Sequence, residues 1–163
     1  LSSLASVGGD LRLGVQAGSN DALANLDGLA SLTSVGGSLE LFENESMTNL
    51  GGLSSLVSVG GDLAIQSNGS LLSVDGLSSL TSVDGHIYIG DNPALTSVEM
   101  TSLTTVGDFV RFRKNDALTN LNGLSSLTSV EGIMWSSRNR GTPPHALHPL
   151  RASGRIERSP SHR

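Results

Sequence analysis

Apolar residues recur through the chain in a fixed order, which in residues 51–75 reads Leu53, Leu56, Val59, Leu63, Ile65, Leu71 and Val74. The pairs Leu39/Leu41, Leu63/Ile65, Ile87/Ile89 and Val110/Phe112 alternate with a period of two. That period predicts short strands with one face on a core. The stretches 56–59 and 71–74 have apolar ends three positions apart, and serine, threonine and glycine fill them where a helix would favour alanine, leucine or lysine. They predict brief extended or turn-like sides. Each unit is thus expected to form a coil of about three short sides, its strand joining those of other units in one parallel sheet.

The unit repeats. Its closing valines fall at Val35, Val59, Val83, Val106 and Val130, a 24-residue period with one residue missing before Val106. Val7 closes an earlier unit that is longer by a four-residue insertion. The unit reads G-L-S-S-L-T-S-V-G-G-D-L-x-I-x-x-N-x-x-L-T-x-L. A period of this length is the mark of stacked supersecondary units, each burying its apolar face against its neighbours. The fold class is therefore all-β, a solenoid of about six 24-residue coils over residues 1–136. At the strand spacing of about 4.8 Å six coils make a rod of about 29 Å.

Asn44, Asn68, Asn92 and Asn115 each follow a strand at the same place, predicting a ladder inside the solenoid. A carboxamide carries both donors and an acceptor to meet backbone groups turned inward at a bend, where aspartate would bring a charge and lose the donors. Two of these asparagines open N-x-S sequons, Asn44-Glu45-Ser46 and Asn68-Gly69-Ser70. Pointing inward, they are expected to stay unglycosylated. Gly36-Gly37 and Gly60-Gly61 mark another corner, and Thr33/Ser34, Thr81/Ser82, Thr104/Thr105 and Thr128/Ser129 predict hydroxyls bonded along the stack.

The L-x-L-x-x-N-x-x-L core, with the lead-in S-V-G-G-D-L at residues 6–11 and 58–63, resembles leucine-rich-repeat-like receptor L-domains over about residues 1–132. Such domains occur in growth-factor receptors, fungal cell-wall glycoproteins and surface proteins of bacteria and microalgae. The resemblance implies a right-handed β-helix or horseshoe-like solenoid, non-enzymatic, at the cell surface or outside it, that binds a protein or glycan ligand. Receptor members carry disulfide-bonded cysteines; this chain has none, and its repeats are more alike than theirs.

Charge divides the chain. Residues 1–136 hold 14 acids and 4 bases, a net of −10, whereas residues 137–163 hold six arginines and one acid, a net of +5, with four of the five prolines and three of the four histidines. An acidic body excludes a nucleic-acid groove, which needs a lysine and arginine surface. The basic segment 137–163 loses the leucine spacing and reads as a disordered tail or as the product of a shifted reading frame. His145 and His148 within it lack further ligands and do not predict a metal site. No apolar run of 18 residues is present to span a membrane. Leu1 opens inside a G-L-S-S-L motif that lacks its glycine, so the chain is expected to be a piece of a longer array, and uncapped coil ends favour end-to-end self-association.

Recurring residues serve the coil, so candidate ligand contacts lie where outward positions vary. The middles of the strand triplets are Arg12, Glu40, Ala64, Tyr88, Arg111 and Trp135. Tyr88, Arg111 and Trp135 are consecutive, with Arg113 and Lys114 beside them, and predict an aromatic and cationic binding patch. His86 has Asp84, Asp91 and Asp108 as possible neighbours, but no convergent carboxylates or metal cluster accompany it, so no catalytic residue, cofactor or metal is expected. Asp10, Asp62 and Asp108, after the glycine corner, are expected to bond locally. An ice-binding or adhesive β-solenoid is the alternative, and a carbohydrate-active β-helix the third reading.

Overall fold

A computed structural model describes residues 3–14, 20, 22–132 and the strand backbone of 134–137. The tail from residue 138, with His145 and His148, lies outside the described residues, as do Leu1 and most of the four-residue insertion. In chain order the strands are Ser6–Val7 (β1), Leu11–Leu13 (β2), Ser34–Val35 (β3), Leu39–Phe42 (β4), Ser58–Val59 (β5) and Leu63–Gln66 (β6). They continue as Ser82–Val83 (β7), Ile87–Gly90 (β8), Thr105–Val106 (β9), Val110–Arg113 (β10), Ser129–Val130 (β11) and Met134–Ser137 (β12). The last strand includes Ser137, one residue beyond the expected end of the repeats.

These strands form two parallel sheets, where one was expected. The longer strands stack as β12-β10-β8-β6-β4-β2, and the two-residue strands as β1-β3-β5-β7-β9-β11. Both registers advance by one repeat, as in Leu63↔Ile87 and Val59↔Val83. The protein is an all-β parallel solenoid with a 24-residue repeat. Its core is a column of aligned side chains: Leu39, Leu41, Leu63, Ile65, Ile87, Ile89, Val110 and Phe112 are all 0% exposed. Each such side chain contributes about 1.5–3 kcal/mol by leaving water, and no coil retains that gain without its neighbours.

The third side is a single 3-10 turn at Asp27–Leu29, Gly51–Leu53, Asp75–Leu77 and Asn122–Leu124. Its start is fixed by a short polar side chain two residues back that accepts the first N–H: Asn25 Oδ1, Asn49 Oδ1, Ser73 Oγ and Asn120 Oδ1 accept from Asp27, Gly51, Asp75 and Asn122. Between β8 and β9 no such turn occurs among the described residues. There the missing residue shortens V-D-G-L to V-E-M.

Asn44, Asn68, Asn92 and Asn115 are the fully buried polar side chains among the described residues. Asn68 Oδ1 accepts from Asn44 Nδ2 and from the Asn44 backbone N–H, both at 3.1 Å, and Asn92 Oδ1 receives the same pair from Asn68 at 3.3 and 3.0 Å. Each carboxamide also donates to a strand-end carbonyl: Asn68 to Leu41 O, Asn92 to Ile65 O and Asn115 to Ile89 O. The bend that turns these groups inward places the preceding residue at positive φ, 52° at Glu43, 58° at Ser67, 55° at Asp91 and 53° at Lys114. At the start of the ladder Asn44 Oδ1 accepts nothing among the described residues.

Burial of the two sequon asparagines leads to a direct expectation. The folded protein presented to an oligosaccharyltransferase should gain no glycan at Asn44 or Asn68, whereas the same sequences as free peptides are acceptors. Intact mass spectrometry checks this, and occupancy of Asn68 without loss of folded protein would contradict an inward asparagine.

Candidate ligand-binding face

Outward positions of the longer-strand sheet form parallel rows across the stack. One row runs Arg12, Glu40, Ala64, Tyr88 and Arg111, in register from coil to coil, and the backbone of Trp135 pairs next in line with Arg111. The next runs Phe42, Gln66, Gly90 and Arg113. The strand pleat sends Leu39, Leu63, Ile87 and Val110 inward, so their neighbours must face out whatever their chemistry.

The two ends of this face differ. Arg12 is held by Asp10 at 3.1 Å and Glu40 at 2.7 Å, so that two carboxylates outweigh its single charge and leave that end acidic. At the other end Arg111, Arg113 and Lys114 gather on one coil. Lys114 pairs with Asp91 at 2.8 Å. The Arg111 guanidinium carbon stands 5.8 Å from the centre of the Tyr88 ring. Arg113 forms no ion pair among the described residues. Tyr88, Arg111 and Arg113 are therefore brought together, and the strand register sets Trp135 next to Arg111.

His86 is placed as a strut. Its Nδ1 lies 2.9 Å from Asp62 Oδ1, and its ring stacks on Phe109 with centroids 4.5 Å apart and planes 10° from parallel. Its carboxylate neighbour is thus Asp62 of the preceding coil, not Asp84, Asp91 or Asp108. Asp62 Oδ1 also accepts the His86 backbone N–H at 3.0 Å, and Asp10 Oδ1 accepts that of Ser38 at 2.9 Å. Ser38 Oγ continues the series by accepting from Asp62 N–H at 3.0 Å. Asp108 stands one position earlier in its unit than Asp10 and Asp62, outside this series. Among the described residues no group of three His, Cys, Asp or Glu side chains could hold a metal ion. None of the described helices is long and apolar enough to cross a membrane.

Hydroxyls line a different side. Thr33, Thr81, Thr104 and Thr128 donate through Oγ1 to Ala5 O, Val57 O, Thr81 O and Thr104 O at 2.9–3.1 Å. Thr96 and Thr119 form a second, shorter series with Leu72 O and Thr96 O. These groups tie coil to coil.

A uniform parallel stack with a varied, polar outer face is a non-catalytic solenoid scaffold of the binding and adhesion class. The receptor L domain family model matches residues 5–126 of the 163, and the chain belongs to that family. Membership agrees with the L-x-L-x-x-N motif and brings an extracellular context and a non-enzymatic role. No curated protein and no solved structure matches the chain.

Proposed function

We propose that the outer face of the longer-strand sheet is where this scaffold meets its ligand, a protein or a glycan, at the cell surface or outside the cell. Tyr88, Arg111, Arg113 and Trp135 form the centre of contact. The observation that carries the reading is the gathering of these residues on consecutive coils, where inward positions keep one chemistry and outward ones do not. Aromatic and arginine side chains supply most of the energy at contact surfaces. Thr81, Thr104 and Thr128 give their hydroxyl hydrogens to carbonyls of the preceding coil, which favours the ligand-binding reading over the ice-binding alternative.

The test is a printed panel of extracellular glycans and receptor ectodomains probed with the wild-type chain and with a Tyr88→Ala/Arg111→Ala double variant. The variant should lose at least about tenfold in affinity for whatever the wild type binds, with an unchanged melting curve. Equal binding by both would move the contact elsewhere on the solenoid.

A further inference from the structure

We propose that the partner of this face is a second copy of the chain, docked face to face with its stack running the opposite way. The proposal rests on the docking face described above and names what occupies it. It begins with the spread of charge along the stack. Asp10, Glu40 and Glu43 against Arg12 leave a net of −2 at one end. Arg111, Arg113 and Lys114 against Asp91 leave +2 at the other. Between them the outward positions are Ala64, Gln66, Tyr88 and Gly90, none of them charged, and Asp62 at the nearby corner is engaged by His86. A ligand of one charge sign would meet one favourable end and one hostile end. A copy turned end for end meets a favourable end at both.

Symmetry sets the register of that docking. A two-fold axis in the contact plane, parallel to the strands and midway between β6 and β8, lays β4 on the partner's β10 and β6 on the partner's β8, each outward row on itself. Glu40 then faces the partner's Arg111, and Glu43 the partner's Lys114. Arg12 engages Glu40 through Oε2 at 2.7 Å, so Oε1 remains for a second cation. Sizes match as well, since Ala64 faces the partner's Tyr88. Gln66 faces the partner's Gly90, where a Cβ would sit 2.6 Å from Tyr88 Oη, so the hydroxyl edge of the ring covers that glycine. The amide there meets a hydroxyl that both donates and accepts. An axis placed on β6 instead would set Arg12 against the partner's Arg111, cation on cation.

Acids elsewhere on the body, such as Asp27 and Asp75 on the 3-10 turns, oppose the approach, but salt at physiological strength largely screens charges more than about 8 Å apart. The face spans about 24 Å along the stack and about 13 Å along the strands, so two copies bury less than the roughly 1,200 Å² of a durable complex. The pairing is consequently weak, with a Kd on the order of 100 μM. It acts where many copies are displayed together and weak contacts add.

Sedimentation velocity of the full chain from about 5 μM to about 1 mM brackets that Kd and tests the proposal. The wild type should pass from monomer to dimer across the range. Glu40→Arg and Arg111→Glu should each raise the Kd at least about tenfold, and an equimolar mixture of the two should associate again, because both opposed pairs are once more unlike in charge. Recovery in the mixture also shows that both variants are folded. Association unchanged in both variants would place the contact elsewhere, as at the coil ends, and overturn the proposal. Weakening without recovery in the mixture would overturn the antiparallel register. A wild type that stays monomeric throughout sinks the second copy as partner, and if the Tyr88→Ala/Arg111→Ala variant still loses its panel ligand, the docking face itself stands.

Discussion

Alanine at Gly52 is expected to destabilise the protein by about 3 kcal/mol, near the upper end for an overpacked site. At the adjacent Gly51 the same change should leave stability unchanged or raise it by up to about 1 kcal/mol through the unfolded chain. The two glycines share one 3-10 turn, Gly51–Leu53, and differ in what lies against them. A Cβ on Gly52 would fall 1.8 Å from Leu26 O and 2.0 Å from Leu26 C, atoms of the coil before. On Gly51 it would meet nothing closer than Asn49 Oδ1 at 3.1 Å. Leu26 O is backbone and cannot rotate aside, so alanine must part the coils. Gly76 and Gly123 repeat the contact, at 1.8 Å from Leu50 O and 1.9 Å from Val98 O. Thermal melts of the two single variants decide the matter, and equal melting temperatures would show that the coils do not approach so closely.

The second large effect is expected at Asn68. Asn68→Leu should cost about 4 kcal/mol, because it removes a fully buried side chain that serves several buried groups together. Asn44 N–H loses its acceptor, Asn44 Nδ2 loses one of three, and Leu41 O, Gln66 O and Asn92 Oδ1 lose a donor. Asn68→Asp keeps the volume but brings an unpaired charge into the same place, and at neutral pH it should do no better. Thr81→Val is the control. It deletes a bond of 3.0 Å to Val57 O that also runs between coils but lies at the surface, where water replaces it, and it should cost about 0.5–1 kcal/mol. Denaturant titration of the three variants measures the difference. A loss at Asn68 no larger than at Thr81 would mean that the ladder is decorative.

The coil was legible wherever one residue type answers one physical demand. Leu63/Ile65 and their equivalents announce a strand, since a side chain either enters the core or does not. The asparagines at 44, 68, 92 and 115 stand out because a polar residue at a fixed place among leucines needs a partner. The second sheet was not legible. Ser58–Val59 is two residues long, too short to display an alternation, and only the neighbouring coils define it as strand. The 3-10 turns were hidden for a related reason: Leu53 and Leu56, three apart, fit a turn or an extended side equally well. Positive φ at Glu43 and Lys114 left no trace, because the asparagine that follows imposes it and the residue itself shows no preference.

On the outer face the sequence carried more than its pattern first suggests. Tyr88, Arg111 and Arg113 could be aligned from the period alone. The carboxylate beside His86 was not legible, because nearness in sequence favours Asp84, whereas stacking brings Asp62 of the previous coil to its ring nitrogen.

The bonds that hold one coil to the next run along the axis of the stack, and the chain travels around that axis. A pull applied at the two ends therefore loads the outermost coil first and peels its bonds in succession, leaving the coils beneath intact. Each 24-residue turn that comes free lengthens the chain by up to about 80 Å. Held between two surfaces, such a protein yields in steps like an unwinding spool, and each released coil absorbs work before the next is strained.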